Sequence, residues 1–151
     1  MPLAALKDVR IAVIGLGYVG LPLAVHMARR FPVVGFDIDA SRVADLSQRR
    51  DRTREVTDEE FLAARAIQFS CDPAALKDAN FFIVTVPTPI DSARRPDLTA
   101  LMRASETVGK AIRTGGVAVF ESTVYPGCTE EVCVPIIAHH SGLAFNSGFF
   151  A

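Results

Sequence analysis

The chain has 151 residues, of which half are hydrophobic and 22% are charged, and its formal net charge is −1. This length and composition indicate one globular domain with a sizeable core and argue against a disordered chain. The balanced charge, with no basic block, argues against a general nucleic-acid-binding surface. The apolar stretch 11–25 is too short to span a bilayer, so no membrane partner is predicted.

Cysteine and histidine usage limits the compartment and the metal chemistry. Cys71, Cys128 and Cys133 form no CxxC pair, which suits a reducing compartment, so we expect a cytoplasmic protein. The three histidines are scattered, and no metal site is predicted from them.

The first third of the chain carries the clearest pattern. An apolar run, Ile11–Ile14, predicts a strand and leads into the GxGxxG turn Gly15–Gly20. A helix is predicted from Val19 to Arg30, with Val19, Leu23 and Met27 near its buried face. A second apolar run, Phe31–Phe36, then ends at Asp37. The order of strand, glycine turn, helix, strand and acid is typical of a βαβ unit that binds a dinucleotide.

Each part of this unit has a physical role. Gly15 permits the tight turn, Gly17 leaves room for a pyrophosphate, and Gly20 allows the helix to pack against the sheet. The helix N-terminus offers free N–H groups and a positive dipole to the phosphates. Asp37 is placed to accept hydrogen bonds from the adenosine ribose and disfavours the 2′-phosphate of NADP, so NAD is the predicted cofactor. A glycine-rich turn without a ligand is the alternative, which the flanking strands and the acid argue against.

A helix, a loop and a second helix are predicted next. Asp39 can cap a helix that runs through Gln48, with Val43 and Leu46 facing inward. The arginine-rich stretch 48–54 is predicted to be an exposed loop. Another short helix is expected to start at Thr57, because Thr57 and Glu60 have capping-box spacing.

The central region predicts two strands and a long helix. Ile67–Ser70 is a candidate short strand, and Phe81–Val86 is the clearest buried strand. Asp97 can cap the helix that follows, which ends at the two glycines 115 and 116. Its apolar and small positions recur at helical spacing: Leu98, Leu101, Met102, Ser105, Val108 and Ile112.

The last part of the chain predicts one more strand and one more helix. Val117–Phe120 reads as a strand, and the final helix is expected to begin near Gly127 and to be kinked by Pro135.

Strands that alternate with helices predict an α/β fold of the Rossmann type: a doubly wound, mostly parallel sheet with helices on both faces. The whole chain, 1–151, is predicted to form one dinucleotide-binding domain. Ligands bind such sheets beyond the carboxyl ends of the strands. Three segments are expected to converge there: Gly15–Gly20, Val86–Pro89 and Glu121–Gly127.

Five blocks of sequence resemble the nucleotide-sugar dehydrogenases, the family of UDP-glucose and GDP-mannose 6-dehydrogenases. They are Gly15–Ala24, Gly35–Asp39, Val86–Asp91, Pro96–Leu98 and Ser122–Gly127, and they extend in order over nearly the whole chain. The stretches Asp51–Val56 and Thr88–Asp91 look most like the branch that acts on UDP-N-acetylhexosamines in surface-polysaccharide synthesis.

The resemblance implies that NAD accepts two hydrides in succession as a sugar C6 alcohol is oxidised through an aldehyde to a carboxylate. It implies a UDP-sugar as the substrate of the parent protein, which is expected to be a homodimer. Thr123 matches a threonine near the nicotinamide and is the candidate catalytic residue. The candidate cofactor-binding residues are Gly15, Gly17, Tyr18, Val19, Gly20, Asp37, Arg42, Val86, Pro87, Thr88 and Thr123.

The family's nucleophilic cysteine, its lysine and its sugar pocket belong to a later domain that has no counterpart in these residues. None of the three cysteines matches that nucleophile. Cys128 lies where the family commonly has threonine, at a predicted helix start; such a position can lower a thiol pKa, but a tolerated replacement is the simpler explanation. The 151-residue chain alone is therefore expected to bind NAD without turning over a sugar.

Simpler interpretations compete with some of these assignments. Thr88 and Thr123 can satisfy backbone groups at strand ends, Tyr18 can merely cover the glycine turn, and Arg42 can be an ordinary exposed helix residue. For the function, the alternatives are a non-catalytic dinucleotide-sensing module, a hydroxy-acid dehydrogenase and a methyltransferase. The blocks Val86–Pro89 and Ser122–Gly127 do not fit the sensing module or the hydroxy-acid dehydrogenase.

Overall fold

A parallel β-sheet forms the centre of the molecule in the computed structural model, which describes residues 4–151. Six strands in this part of the chain pair in the order β3-β2-β1-β4-β5-β6, and every pair is parallel. The strands are β1 (Ile11–Ile14), β2 (Val33–Phe36), β3 (Ile67–Ser70), β4 (Phe81–Val84), β5 (Gly116–Phe120) and β6 (Phe149–Phe150). This is the strand order of the doubly wound dinucleotide-binding fold, and it confirms the predicted fold class.

Five α-helices within residues 4–151 accompany the sheet. They are α1 (Gly20–Met27), α2 (Ala40–Ser47), α3 (Asp58–Ala63), α4 (Thr99–Ala111) and α5 (Val134–Ser141). One turn of π-helix, Thr129–Cys133, leads directly into α5, and Pro135 lies in the first turn of α5. No helix in the described part of the chain is long and apolar enough to cross a membrane.

The core has two halves, one on each face of the sheet. Alternate residues of β1 belong to different halves: Ala12 and Ile14 pack with α4 and α5, whereas Ile11 and Val13 pack with α1 and α3. Because successive side chains of a strand point to opposite faces, helices cover the sheet on both sides. The helices leave the ends of the strands uncovered, and a ligand can bind there.

Two of the three predicted helix caps are present in the structure. The Asp39 carboxylate accepts hydrogen bonds from the N–H groups of Ser41 and Arg42 at the start of α2. Thr57 and Glu60 form the predicted capping box of α3. The prediction for α4 is wrong in detail: the N-cap residue is Leu98, and Asp97, one position earlier, accepts from the N–H of Thr99 at 2.9 Å.

The buried face of α1 differs from the prediction. Val19 precedes the helix and is 59% exposed, while Leu23 and Met27 are only half-buried. The buried positions are instead Leu21, Ala24, Val25 and Ala28, whose spacing also follows the helical period. Two apolar stripes of the same sequence compete, and contact with the sheet selects the second. Met102, 44% exposed, is likewise turned away from the core.

Several element boundaries differ from the prediction. The helix α1 ends at Met27 rather than Arg30, and β4 ends at Val84 rather than Val86. The strand β6 was not predicted, because two residues are too few to show a period and their partner, β5, is distant in sequence.

Candidate functional site

A cleft of about 1200 Å³ opens beyond the carboxyl ends of β1, β2, β4 and β5. The three segments predicted to converge at this edge all contribute to its walls. All but one of the predicted site residues line it: Gly15, Gly17, Tyr18, Val19, Asp37, Arg42, Val86, Pro87, Thr88 and Thr123. The exception is Gly20, the last residue of the turn, which is buried against Gly15 and Thr85.

The three glycines of the turn have different surroundings. Gly15 has φ +96°, a conformation that L-residues with a side chain rarely adopt, and its N–H donates to the Phe36 carbonyl at 2.8 Å. A Cβ on Gly20 would overlap the Gly15 carbonyl oxygen and the Thr85 hydroxyl. A Cβ on Gly17 would meet no atom within 4 Å. Gly15 and Gly20 are thus required by the fold, whereas Gly17 leaves open space that faces the cleft.

Backbone donors surround this open space. Among residues 4–151, the N–H groups of Tyr18, Val19 and Gly20 have no acceptor. These groups lie at the N-terminus of α1, where unpaired N–H groups and the helix dipole attract anions. The turn therefore fits a phosphate-containing ligand: it offers space at Gly17 and donors at the residues that follow.

Asp37 directly follows β2 and contacts the glycine turn through the Leu16 N–H. One carboxylate oxygen accepts from the Leu16 N–H at 2.8 Å, and the other accepts from the Asp39 N–H at 2.9 Å. Each oxygen can accept a further hydrogen bond. The carboxylate is thus held in place and can still receive ribose hydroxyls.

The structure overturns the interpretation of Arg42 as an ordinary exposed residue. Its side chain is 8% exposed, and its Nε and Nη2 both donate to the Leu16 carbonyl, at 3.1 and 3.0 Å. Nη2 also donates to Thr53 Oγ1 at 3.3 Å. Nη1 lies 2.9 Å from the Asp51 carboxylate, close enough for an ion pair but not aligned as a hydrogen bond. The guanidinium holds the glycine turn and borders the cleft, so it is not a free cation for a 2′-phosphate.

Hydroxyl groups connect the segments of the remaining wall. The Thr88 hydroxyl donates to the Thr123 carbonyl at 2.7 Å, and the Ser122 hydroxyl donates to the Val86 carbonyl at 2.6 Å. The Thr85 hydroxyl donates to the Gly15 carbonyl at 2.7 Å. Thr88 thus satisfies a backbone group while lining the cleft, so its two interpretations are compatible.

Four polar residues that organise the site were not predicted individually as site residues. Thr85 and Ser122 follow the ends of β4 and β5, the position where ligand-binding residues of parallel sheets gather. Asp51 and Thr53 carry the D-x-T spacing of an Asx turn, which was the available signal in the arginine-rich loop.

None of the three cysteines lines the cleft. Cys128 and Cys133 are fully buried in the core half that contains α4 and α5, and Cys71 is exposed. Burial is the main cause that raises the pKa of the Cys133 thiol. Cys128 therefore lies inside the core rather than at an accessible helix start. Within residues 4–151 no group of three or more His, Cys, Asp or Glu side chains is arranged to hold a metal ion.

The fold and the cleft define a dinucleotide-binding domain of the Rossmann type. Residues 9–149 match the model of the UDP-glucose/GDP-mannose dehydrogenase family, NAD binding domain. The chain therefore belongs to this family and is its NAD-binding domain.

Two bacterial relatives agree closely in sequence. The chain is 51% identical over 145 residues to a UDP-N-acetyl-D-glucosamine 6-dehydrogenase of Salmonella typhi, covering 96% of this chain and 34% of that protein. It is 52% identical over 146 residues to the Pseudomonas aeruginosa protein of the same name, covering 97% of this chain and 35% of that protein. The chain thus spans about a third of the length of these relatives.

Solved structures agree in fold. A UDP-D-ManNAc dehydrogenase from Pyrococcus horikoshii superposes with a TM-score of 0.83 at 33% identity, over 93% of this chain and 34% of that one. A GDP-mannose dehydrogenase from Pseudomonas aeruginosa, solved as a ternary complex, gives 0.83 at 26% identity, also over 93% of this chain and 34% of that one.

Proposed function

We propose that this chain is the cofactor-binding part of an NAD-dependent UDP-N-acetylhexosamine 6-dehydrogenase of surface-polysaccharide synthesis. The observation that carries the proposal is the single cleft in which the glycine turn meets the Val86–Thr88 and Glu121–Thr123 segments. A sensing module would need the glycine turn and the acid alone. The two 6-dehydrogenase relatives, at 51% and 52% identity, support the choice of substrate class.

The cofactor roles follow from the contacts. The open space at Gly17 and the unpaired N–H groups at the start of α1 suit the pyrophosphate. Asp37 suits the adenosine ribose, with Arg42 beside it. Val86, Pro87 and Thr88 form the opposite wall of the cleft. When bound, NAD supplies the hydride acceptor of the reaction.

Thr123 is the residue that we assign to the reacting end of the cleft. It follows β5, and the Thr88 hydroxyl holds its carbonyl at 2.7 Å, which fixes the backbone that carries its side chain. We propose that the Thr123 hydroxyl positions a water or the reacting sugar group beside the nicotinamide.

The cleft contains no complete catalytic apparatus for a sugar. Its walls, as formed by residues 4–151, include no cysteine, lysine or histidine. Glu121 in the wall of the cleft is a carboxylate that can accept a proton, but oxidation of an aldehyde to a carboxylate through a covalent intermediate also needs a nucleophile such as a cysteine thiolate. We propose that this nucleophile comes from elsewhere in a longer protein. The homodimer and the cytoplasmic location stay predictions for that protein.

Calorimetric titration tests the proposal directly. We expect the 151-residue chain to bind NAD saturably, to bind NADP at least tenfold more weakly, and not to bind S-adenosylmethionine. Thr123→Ala should bind NAD within about twofold of wild type if the hydroxyl positions a water or the reacting sugar group, as we propose; a larger loss would instead make Thr123 a cofactor-binding residue. Binding of S-adenosylmethionine in place of NAD would favour the methyltransferase alternative, and steady NADH formation from UDP-N-acetylglucosamine by this chain would contradict the proposed division of labour.

A further inference from the structure

The loop between α2 and α3 contains a motif, Asp51–Val56, that the proposed function leaves unexplained. Most of its members are charged, yet the Asp51 side chain is only 3% exposed. A carboxylate is rarely buried this deeply unless its charge is compensated by hydrogen bonds or by a cation.

Asp51 is surrounded by donors. Its Oδ1 accepts from the Thr53 N–H at 2.9 Å and from the Thr53 hydroxyl at 2.7 Å, and it also faces Arg42 Nη1 at 2.9 Å. Its Oδ2 accepts from the N–H groups of Glu55, at 2.8 Å, and Val56, at 3.2 Å. Burial alone would raise the pKa of Asp51, but these hydrogen bonds outweigh burial and lower it to about 2. Asp51 is therefore an anion that organises the loop and presents its charge to Arg42.

Arg42 transmits this order to the glycine turn. Its Nε and Nη2 form a fork on the Leu16 carbonyl, and Thr53 Oγ1 braces Nη2. The Leu16 N–H is held from the other side by Asp37. Because a trans peptide is planar, the Leu16 carbonyl and the Gly17 N–H point in opposite directions. Fixing the carbonyl on the guanidinium therefore fixes the direction of the Gly17 N–H, within the turn that we assign to the pyrophosphate.

We propose that Asp51 is a positioning residue for the cofactor: it holds Arg42 against the Leu16 carbonyl and thereby orients the backbone donors of the glycine turn toward a diphosphate. Asp51 is outside the lining of the cleft, so it acts through Arg42. This inference rests on the proposed NAD-binding function and adds to it a residue of the loop stretch Asp51–Val56.

The first experiment compares Asp51→Asn with Asp45→Asn. Asp45, in α2, also pairs with arginines of this loop, Arg50 and Arg52, but these arginines are exposed. Asparagine at position 51 keeps one acceptor oxygen and points an NH₂ group at donors that need an acceptor. We expect Asp51→Asn to weaken NAD and ADP-ribose binding about tenfold in calorimetry and Asp45→Asn to change it less than twofold. Adenosine, which lacks the diphosphate, should bind both variants within twofold of wild type.

A double-mutant cycle tests whether Asp51 acts through Arg42. In an Arg42→Met background, which removes the fork, the further change Asp51→Asn should alter NAD affinity less than twofold. A tenfold loss that persists in this background would overturn the proposal. So would an equal loss of adenosine affinity, because the effect would then lie outside the phosphate-binding turn.

Hydrogen exchange without ligand and two milder substitutions at Thr53 distinguish a local effect of Asp51→Asn from a general folding defect. The Arg42 Nε–H should exchange with solvent at least tenfold faster in Asp51→Asn, while the core amides of Val84 and Leu101 keep their wild-type protection. If Asp51→Asn does not fold, Thr53→Val and Thr53→Ser carry the test. Thr53→Val removes the bracing hydroxyl and should weaken NAD about threefold, whereas Thr53→Ser keeps the hydroxyl and should be silent; equal affinities for the two would overturn the proposal.

The outcomes separate the two proposals. If the wild-type chain binds no NAD, both the proposed function of this chain and the positioning role are wrong. If the wild type binds NAD and Asp51→Asn binds it equally well, only the positioning role is wrong.

Discussion

Alanine substitutions at Gly17 and Gly20 should separate cofactor binding from folding. A Cβ on Gly17 meets no atom within 4 Å, and Gly17 does not need the left-handed backbone conformation. Alanine there should leave the melting temperature unchanged or slightly raised, because it restricts the unfolded chain. The methyl group would occupy the space assigned to the pyrophosphate, and a steric conflict of about 1–3 kcal/mol corresponds to roughly 5- to 150-fold weaker NAD binding.

Gly20→Ala should show the opposite pattern. Its Cβ would overlap the Gly15 carbonyl oxygen, a backbone atom that cannot rotate away. Overpacking of this kind costs about 1–3 kcal/mol or more, which in a chain of this size lowers the melting temperature by about 2–12 °C. Circular dichroism melts and NAD titration measure both variants. Wild-type NAD affinity in Gly17→Ala, or a wild-type melting temperature in Gly20→Ala, would refute the division of roles between the glycines.

Three further predictions follow from single contacts. Asp37→Ser should weaken NAD binding about tenfold and raise the ratio of NADP to NAD affinity, measured by calorimetry, because the charged acceptor for the ribose is lost; an unchanged ratio would contradict the role of Asp37. The pKa of Asp51 is lowered from 3.8 to about 2, so the ionised carboxylate stabilises the folded state by about 2 kcal/mol above pH 4, and this stabilisation is lost as pH falls toward 2. In Asp51→Asn, the free energy of unfolding measured with urea should therefore fall less steeply between pH 4 and pH 2. Thr57→Ala removes the capping box of α3 and should cost about 1 kcal/mol in urea unfolding with NAD affinity unchanged, and no change in stability would count against the cap.

The parts of the fold that could be predicted from the sequence are those encoded by residues close together in the chain. The glycine turn and the capping box of Thr57 and Glu60 are each encoded by residues a few positions apart, and the structure contains both. The order of strands and helices along the chain follows from the same kind of local signal, and the right-handedness of crossovers between parallel strands then limits how these strands can be arranged in a sheet.

Features that depend on distant partners were not predictable in the same way. The burial of Arg42 depends on Leu16 and Asp51, which lie 26 and 9 positions away in sequence. Its charge alone favours an exposed position, so composition pointed to the wrong interpretation. The prediction of the buried face of α1 was wrong for a related reason: the helix has two apolar stripes, and only contact with the sheet decides which of them is buried.

The glycine turn is held by side chains that leave free the N–H groups that we assign to the pyrophosphate. Thr85 binds the Gly15 carbonyl, Asp37 binds the Leu16 N–H, and Arg42 binds the Leu16 carbonyl. Fixing the backbone of one residue costs roughly 1–2 kcal/mol of conformational entropy, and here folding rather than ligand binding supplies that cost. A preorganised turn binds more tightly than a mobile one with the same donors. The affinity for a dinucleotide should therefore respond to the residues that hold the turn as well as to those that touch the ligand.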